Sequence, residues 1–234
     1  MHCLGAQTLL MSLASGELAE RVRSAVCLQV GLFYDMPARR RLMCRLGLPQ
    51  FMSRSGLPCL NVSAQQADGS AYRALDTILR AYPVSARERC SNRTCRRAAF
   101  LYGELVSHAN LTEATHDRMG TILGTASMGP FGQLARSTLR GRIVRADGAD
   151  IYLTNLDGLR IPITFVHGAD NATVLAGSTM ATYELLCRTY GPERYRRHVV
   201  DGYGHLDCLI GKDAPRDVFP LIAAHLNRTE KVGQ

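Results

Sequence analysis

The stretch His2-Cys3-Leu4-Gly5-Ala6 stands directly in front of a run in which Leu9, Leu10, Leu13 and Leu18 recur at helical spacing. A cysteine in the first turn of a helix meets N–H groups that have no partner within the helix, and these favour its thiolate. The small residues after it suit a sharp turn where a helix and a strand cross closely. The periodicity predicts a helix over 6–22, with Gly16 weakening only its last turns. The apolar run 23–34, RSAVCLQVGLFY, then reads as a buried strand. Turn, helix and strand in that order make half of a parallel α/β unit.

From Met36 to about Ala149 the pattern changes to short helical runs broken by Pro and Gly, with little strand alternation. This predicts a helical insertion of about 100 residues. Strand and helix patterns then return. Residues 148–156, GADIYLTNL, read as a short extended piece, and the strand IPITFVHGADN carries polar residues just past its tip. STMATYELLCRTYG is expected to be a helix closed by Gly191. YRRHVVDGYGHLDC is a strand leading into a loop with His205, and DAPRDVFPLIAAHLNR a last helix with Asp213 as N-cap. The expected organisation is one domain in three segments: core over 1–35, helical cap over 36–149 and core over 150–234.

The chain has 234 residues, of which 46% are hydrophobic, as in a globular protein with a sizeable core. No apolar run reaches membrane-spanning length, and the mildly apolar N-terminus has no Lys or Arg ahead of it, so it reads as a helix rather than a signal peptide. The formal charge is +8, almost all of it from arginine, since lysine occurs only at Lys212 and Lys231. The arginines are scattered and no nucleic-acid-binding signature accompanies them, so no nucleic-acid partner is expected. The eight cysteines are irregularly spaced, which points to reduced thiols and a cytoplasmic location. In that setting the Asn-x-Ser/Thr triplets at Asn61, Asn92 and Asn171 carry no meaning. Cys90 and Cys95 enclose CSNRTC, a possible disulfide or half a metal site. With no completing pair evident, no metal site is expected.

Three positions at expected strand ends carry the chemistry: Cys3, Asp170 with Asn171, and His205. Sites in parallel sheets lie at the carboxyl ends of strands. The order nucleophile, acid or amide, histidine is that of α/β-hydrolases, and HCLGA matches the last part of a Gly-x-Ser-x-Gly elbow with cysteine at the nucleophile. Cys3 is the candidate nucleophile, His205 the base, and the Leu4 N–H an oxyanion donor. Asn171 is the preferred orienting group, Asp170 its rival, and Asp207 a weaker one. His167 is expected to pack at the strand end. His116-Asp117 and Met36, Met43, Met52, Met119 and Met128 are open between lining a substrate pocket and ordinary packing.

HCLGA, RRAAFLYGELVSHANLTEATHD, PITFVHGADN and RRHVVDGYGHLDCLIGKDAPRDVFPLI together resemble the α/β-hydrolase-like C-terminal region fused behind flavin-dependent GMC oxidoreductases of the cholesterol-oxidase-like kind. The resemblance implies the C-terminal half of an α/β-hydrolase fold, a parallel sheet flanked by helices, with a large helical cap. It implies an apolar or acyl substrate, and a GMC oxidoreductase domain or chain as partner. No cofactor is expected in this chain, FAD belonging only to the oxidoreductase part. The family usually has aspartate where Asn171 stands. The strand leading into Cys3 and the earlier loop with a second oxyanion donor are expected to be absent, with Met1 an internal or misplaced start. Two function classes follow: an ester or thioester hydrolase with little activity alone, or a non-catalytic accessory region of the oxidoreductase.

Overall fold

In the computed structural model, which describes residues 1–56, 58–64 and 69–230, three strands form a parallel sheet. They are β1 (Ala25–Leu28), β4 (Ile163–Gly168) and β5 (Tyr195–Val200), in the order β1-β4-β5, with Ala25 in register with Ile163 and Ile163 with Tyr195. β2 (Cys59–Asn61) and β3 (Thr125–Ser127) form a separate antiparallel pair inside the insertion. The expected α/β architecture, a parallel sheet flanked by helices with a helical insertion, is the one observed.

Side chains alternate across the sheet as the two-residue period of a strand requires. Ala25, Cys27, Ile163 and Phe165 pack with Leu10 and Leu13 of α1 (Cys3–Ala14) and Leu186 of α9 (Gly177–Tyr190). Val26, Leu28 and Val166 face the other way. There they meet Cys208 of α10 (Asp207–Ile210), Ala214 of α11 (Ala214–Asp217) and the segment leading into α12 (Phe219–Glu230). The core is therefore a three-layer sandwich.

The insertion packs around a core of its own. Its helices are α2 (Ala38–Arg45), α3 (Leu48–Arg54), α4 (Ser70–Leu79), α5 (Arg93–Leu101), α6 (Glu113–Asp117), α7 (Met119–Ile122) and α8 (Met128–Arg140). Leu60, Val62, Ala98, Leu101 and Met119 are among its buried apolar residues. At its centre Arg97 is fully buried and holds Asp76 through two bonds, Nε to Oδ1 at 2.7 Å and Nη2 to Oδ2 at 2.8 Å. The Arg97 guanidinium also lies 4.7 Å from the centre of the Tyr72 ring.

Several local expectations are corrected. Helix α1 stops at Ala14, because Gly16 takes φ +85° and its N–H closes on the Leu13 carbonyl. The long apolar run yields only four residues of β1, since Gln29 turns the chain at φ 74°. Residues 148–156 form no strand, having no ladder to join. The last helix is split at Val218 into α11 and α12, with Pro220, which has no N–H, in the first turn of α12. Asp213 makes no side-chain cap and instead pairs with Arg216 at 3.4 Å. Cys90 and Cys95 are not isolated from histidine: the fold brings His108 and His116 to them.

Candidate functional site

Cys3 is built at a strand-to-helix turn. Met1 and His2 are extended along β1: the terminal amine donates to the Val26 carbonyl at 2.8 Å, and Leu28 N–H donates to the Met1 carbonyl at 3.0 Å. Met1 and His2 thus run beside β1 and make a parallel bridge at Leu28. The backbone then swings from φ −130° at His2 to φ +49° at Cys3, and α1 begins. A non-glycine residue held at positive φ is strained, and such strain recurs at nucleophile elbows. Ala6 is fully buried, as the close helix–strand crossing demands. Gly5 is less constrained than the sequence implied, since a Cβ there would meet only Met1 Cε, at 3.4 Å.

His205 lies in the loop after β5, buried, with its carbonyl accepting from His2 Nε2 at 2.9 Å. Gly168 makes this possible. A Cβ at that position would sit 2.3 Å from the Tyr203 carbonyl oxygen and 2.4 Å from that of Gly204. Only glycine lets β4 approach the loop so closely. Cys3 and His205 line one apolar cavity of about 80 Å³, roofed by Tyr102 and Leu105 from the cap. The Nε2 of His205 is buried and has no hydrogen-bond partner.

Asn171 orients the ring. Its Oδ1 accepts the N–H groups of Thr173 at 2.9 Å and Val174 at 3.0 Å, which settles the amide's orientation. Its Nδ2 must then donate, to Gln29 Oε1 at 2.9 Å and to His205 Nδ1 at 3.0 Å. Neutral His205 therefore accepts at Nδ1 and carries its proton on Nε2. A triad aspartate imposes the opposite tautomer. Burial, reinforced by His2 and His167, drives the His205 pKa well below its ordinary value. Burial also pushes the Cys3 thiol up, outweighing the Leu4 N–H that favours its thiolate. At neutral pH the cavity thus holds a thiol and a neutral imidazole.

Of the other candidates, Asp170 is exposed on the turn, while its neighbour Asn171 makes the contact with His205. Asp207 is buried but serves the loop. It accepts from Gly204 N–H at 2.9 Å and from the cap at Ser107 N–H, 3.2 Å, and Asn110 Nδ2. His167 packs at the end of β4 and donates from Nε2 to the Val174 carbonyl at 3.0 Å. Met36 lines the Cys3–His205 cavity. Met43, Met52 and Met128 line with it a neighbouring cavity of about 40 Å³, while Met119 belongs to the cap core. His116 and Asp117 lie away from both. Gln29 was not anticipated: buried at positive φ, it also holds Gly168 N–H at 3.1 Å and the Gly204 carbonyl at 3.1 Å, tying β1, β4 and the His205 loop together.

No protein-family model matches this chain, and no curated protein is recognisably similar to it in sequence. Among solved structures it is similar to a thermophilic esterase from Thermogutta terrifontis, at 14% identity and a TM-score of 0.49, over 97% of this chain and 63% of that one. It is similar to a Paleococcus ferrophilus monoacylglycerol lipase at 10% identity and 0.48, over 98% and 65%. A monoglyceride lipase from Saccharomyces cerevisiae matches at 12% and 0.43, over 98% and 58%. The chain thus spans less than two thirds of the length of each. Likeness at this distance assigns no activity; the parallel sheet, the strained turn at Cys3 and the helical insertion are features of this chain's own geometry.

Proposed function

We propose that this chain is an α/β-hydrolase-type region that takes an apolar ester or thioester at Cys3 and His205 and turns it over slowly. The observation that supports this reading is the shared cavity: a thiol on a strained elbow and an unpartnered imidazole nitrogen line one apolar space. In the reaction Cys3 Sγ adds to the carbonyl carbon, the oxyanion takes the Leu4 N–H, and the alcohol or thiol leaves with the proton from Cys3. Water then releases the acid from the acyl-cysteine. His205 must carry those protons, and it accepts one at Nε2 only after its own proton has moved to Nδ1, against the Asn171 N–H. A wrong tautomer costs roughly 10⁴ in rate where it has been measured in a serine protease. This is the reason for slow turnover.

The test is acylation by p-nitrophenyl butyrate followed by intact mass analysis. One butyryl group on Cys3, absent in Cys3→Ala, is expected. Acylation spread over the other cysteines, or unchanged in Cys3→Ala, overturns the reading. The same tautomer favours a second reading, a non-catalytic accessory region that works beside a flavin-dependent GMC oxidoreductase and whose pocket only binds. Retention of an apolar carbonyl ligand with no acylation of Cys3 separates it from the first.

A further inference from the structure

We propose that Cys90, Cys95, His108 and His116 form a structural zinc site in the cap. One ligand atom from each lies within 4.8 Å of all the others. Tetrahedral zinc with bond lengths of about 2.3 Å to sulfur and 2.0–2.1 Å to nitrogen sets ligand–ligand distances of about 3.4–3.8 Å. Cys95 Sγ and His116 Nε2 already stand at 3.4 Å, so small side-chain adjustments close the rest.

The imidazoles are prepared for such a role. His108 Nδ1 donates to Glu88 Oε2 at 2.5 Å, and the same oxygen accepts the His108 backbone N–H at 3.0 Å. This leaves Nε2 for the metal, and that atom is buried with no hydrogen-bond partner. A carboxylate behind a histidine is the usual support for a metal-bound imidazole. The two rings meet edge to face, with centres 5.1 Å apart.

The donor set selects the ion. Two thiolates and two neutral imidazoles suit zinc, and disfavour the hard cations that seek oxygen. Four protein ligands fill a tetrahedron and leave no position for water, so the ion's role is structural. The ligands come from separate pieces: the turn before α5, α5 itself, the 3-10 turn His108–Asn110, and α6. Between Cys95 and His108 the chain carries Tyr102 and Leu105, the roof of the Cys3–His205 cavity. Zinc would tie both ends of that roof.

The test uses the whole chain purified with zinc and passed through gel filtration. One zinc per chain is expected, with two of the eight cysteines shielded from a thiol reagent until EDTA is added. Cobalt should replace zinc and give the ligand-field and thiolate charge-transfer bands of a tetrahedral site. The double variant Cys90→Ser/Cys95→Ser should lose the metal, while Cys3→Ser/Cys59→Ser keeps it. Should the first variant fail to fold, Glu88→Gln leaves all four ligands in place and is expected to weaken zinc about tenfold to a hundredfold. Metal retained in Cys90→Ser/Cys95→Ser, all eight thiols reactive with no bound zinc, or a Cys90–Cys95 disulfide that takes no metal after reduction each overturns the proposal.

Discussion

Asn171 Nδ2 donates to His205 Nδ1 at 3.0 Å, so an amide, not a carboxylate, decides which nitrogen of the imidazole carries the proton. Two backbone N–H groups on Asn171 Oδ1 prevent the amide from turning over. A group that superficially completes a triad thus presents its histidine to the cavity as a donor.

Asn171→Asp is expected to reverse this. A carboxylate accepts from Nδ1–H and frees the lone pair of Nε2. Hydrolysis of p-nitrophenyl butyrate should rise at least tenfold, and the histidine ¹⁵N shifts should report the exchanged tautomer. A tautomer switch with no gain in rate would show that the proton position is not what limits turnover.

Gly168→Ala is expected to displace the His205 loop. The added methyl group meets two backbone carbonyl oxygens, neither of which can step aside alone. The cost is on the order of 1–3 kcal/mol, typical of overpacking. Acylation of Cys3 should fall by more than that loss of stability explains, and equal folding midpoints for the variant and parent would count against this geometry.

Asp76→Ala should unfold the cap by removing the carboxylate that faces the buried Arg97 guanidinium, at a cost of about 3–5 kcal/mol. Hydrogen exchange is the measurement. Amides of α4 and α5 should lose protection while β4 and β5 keep theirs, because the cap and the sheet have separate cores.

His167 makes the core sensitive to acid. Burial pushes its pKa down to about 4, against about 6.5 in the unfolded chain. Between those values the unfolded state holds the extra proton. The stabilising contribution is therefore complete above about pH 6.5 and is lost as pH falls through about 4. The full loss is on the order of 3–4 kcal/mol at about 1.4 kcal/mol per pH unit. Urea midpoints at pH 7 and 4.5 should separate less in His167→Gln than in the parent; equal separation removes His167 as the cause.

The meeting of Asn171 and His205 was legible in the sequence because each follows a recognisable apolar run and parallel sheets bring such ends together, and the turn at Cys3 because small residues and a helical run follow it. Gln29 was hidden by the same logic: it sits inside an apolar run, and only its positive φ shows that β1 has already ended. The direction of the Asn171–His205 bond could not be read either, since it depends on the Thr173 and Val174 backbone. β2 and β3 escaped notice because three residues are too few to display alternation, and their pairing spans most of the cap. His108 and His116 were missed as companions of Cys90 and Cys95 because the four are gathered by helix packing rather than by a short repeated interval.

Asp207 clasps the His205 loop on one side and Ser107 and Asn110 of the cap on the other. A cap that lifts to admit a ligand must let go of that carboxylate, and with it the Gly204 amide loses its counterpart's fixed position. Admission of a guest and alignment of the imidazole are then two readings of a single latch, and one cannot be altered without disturbing the other.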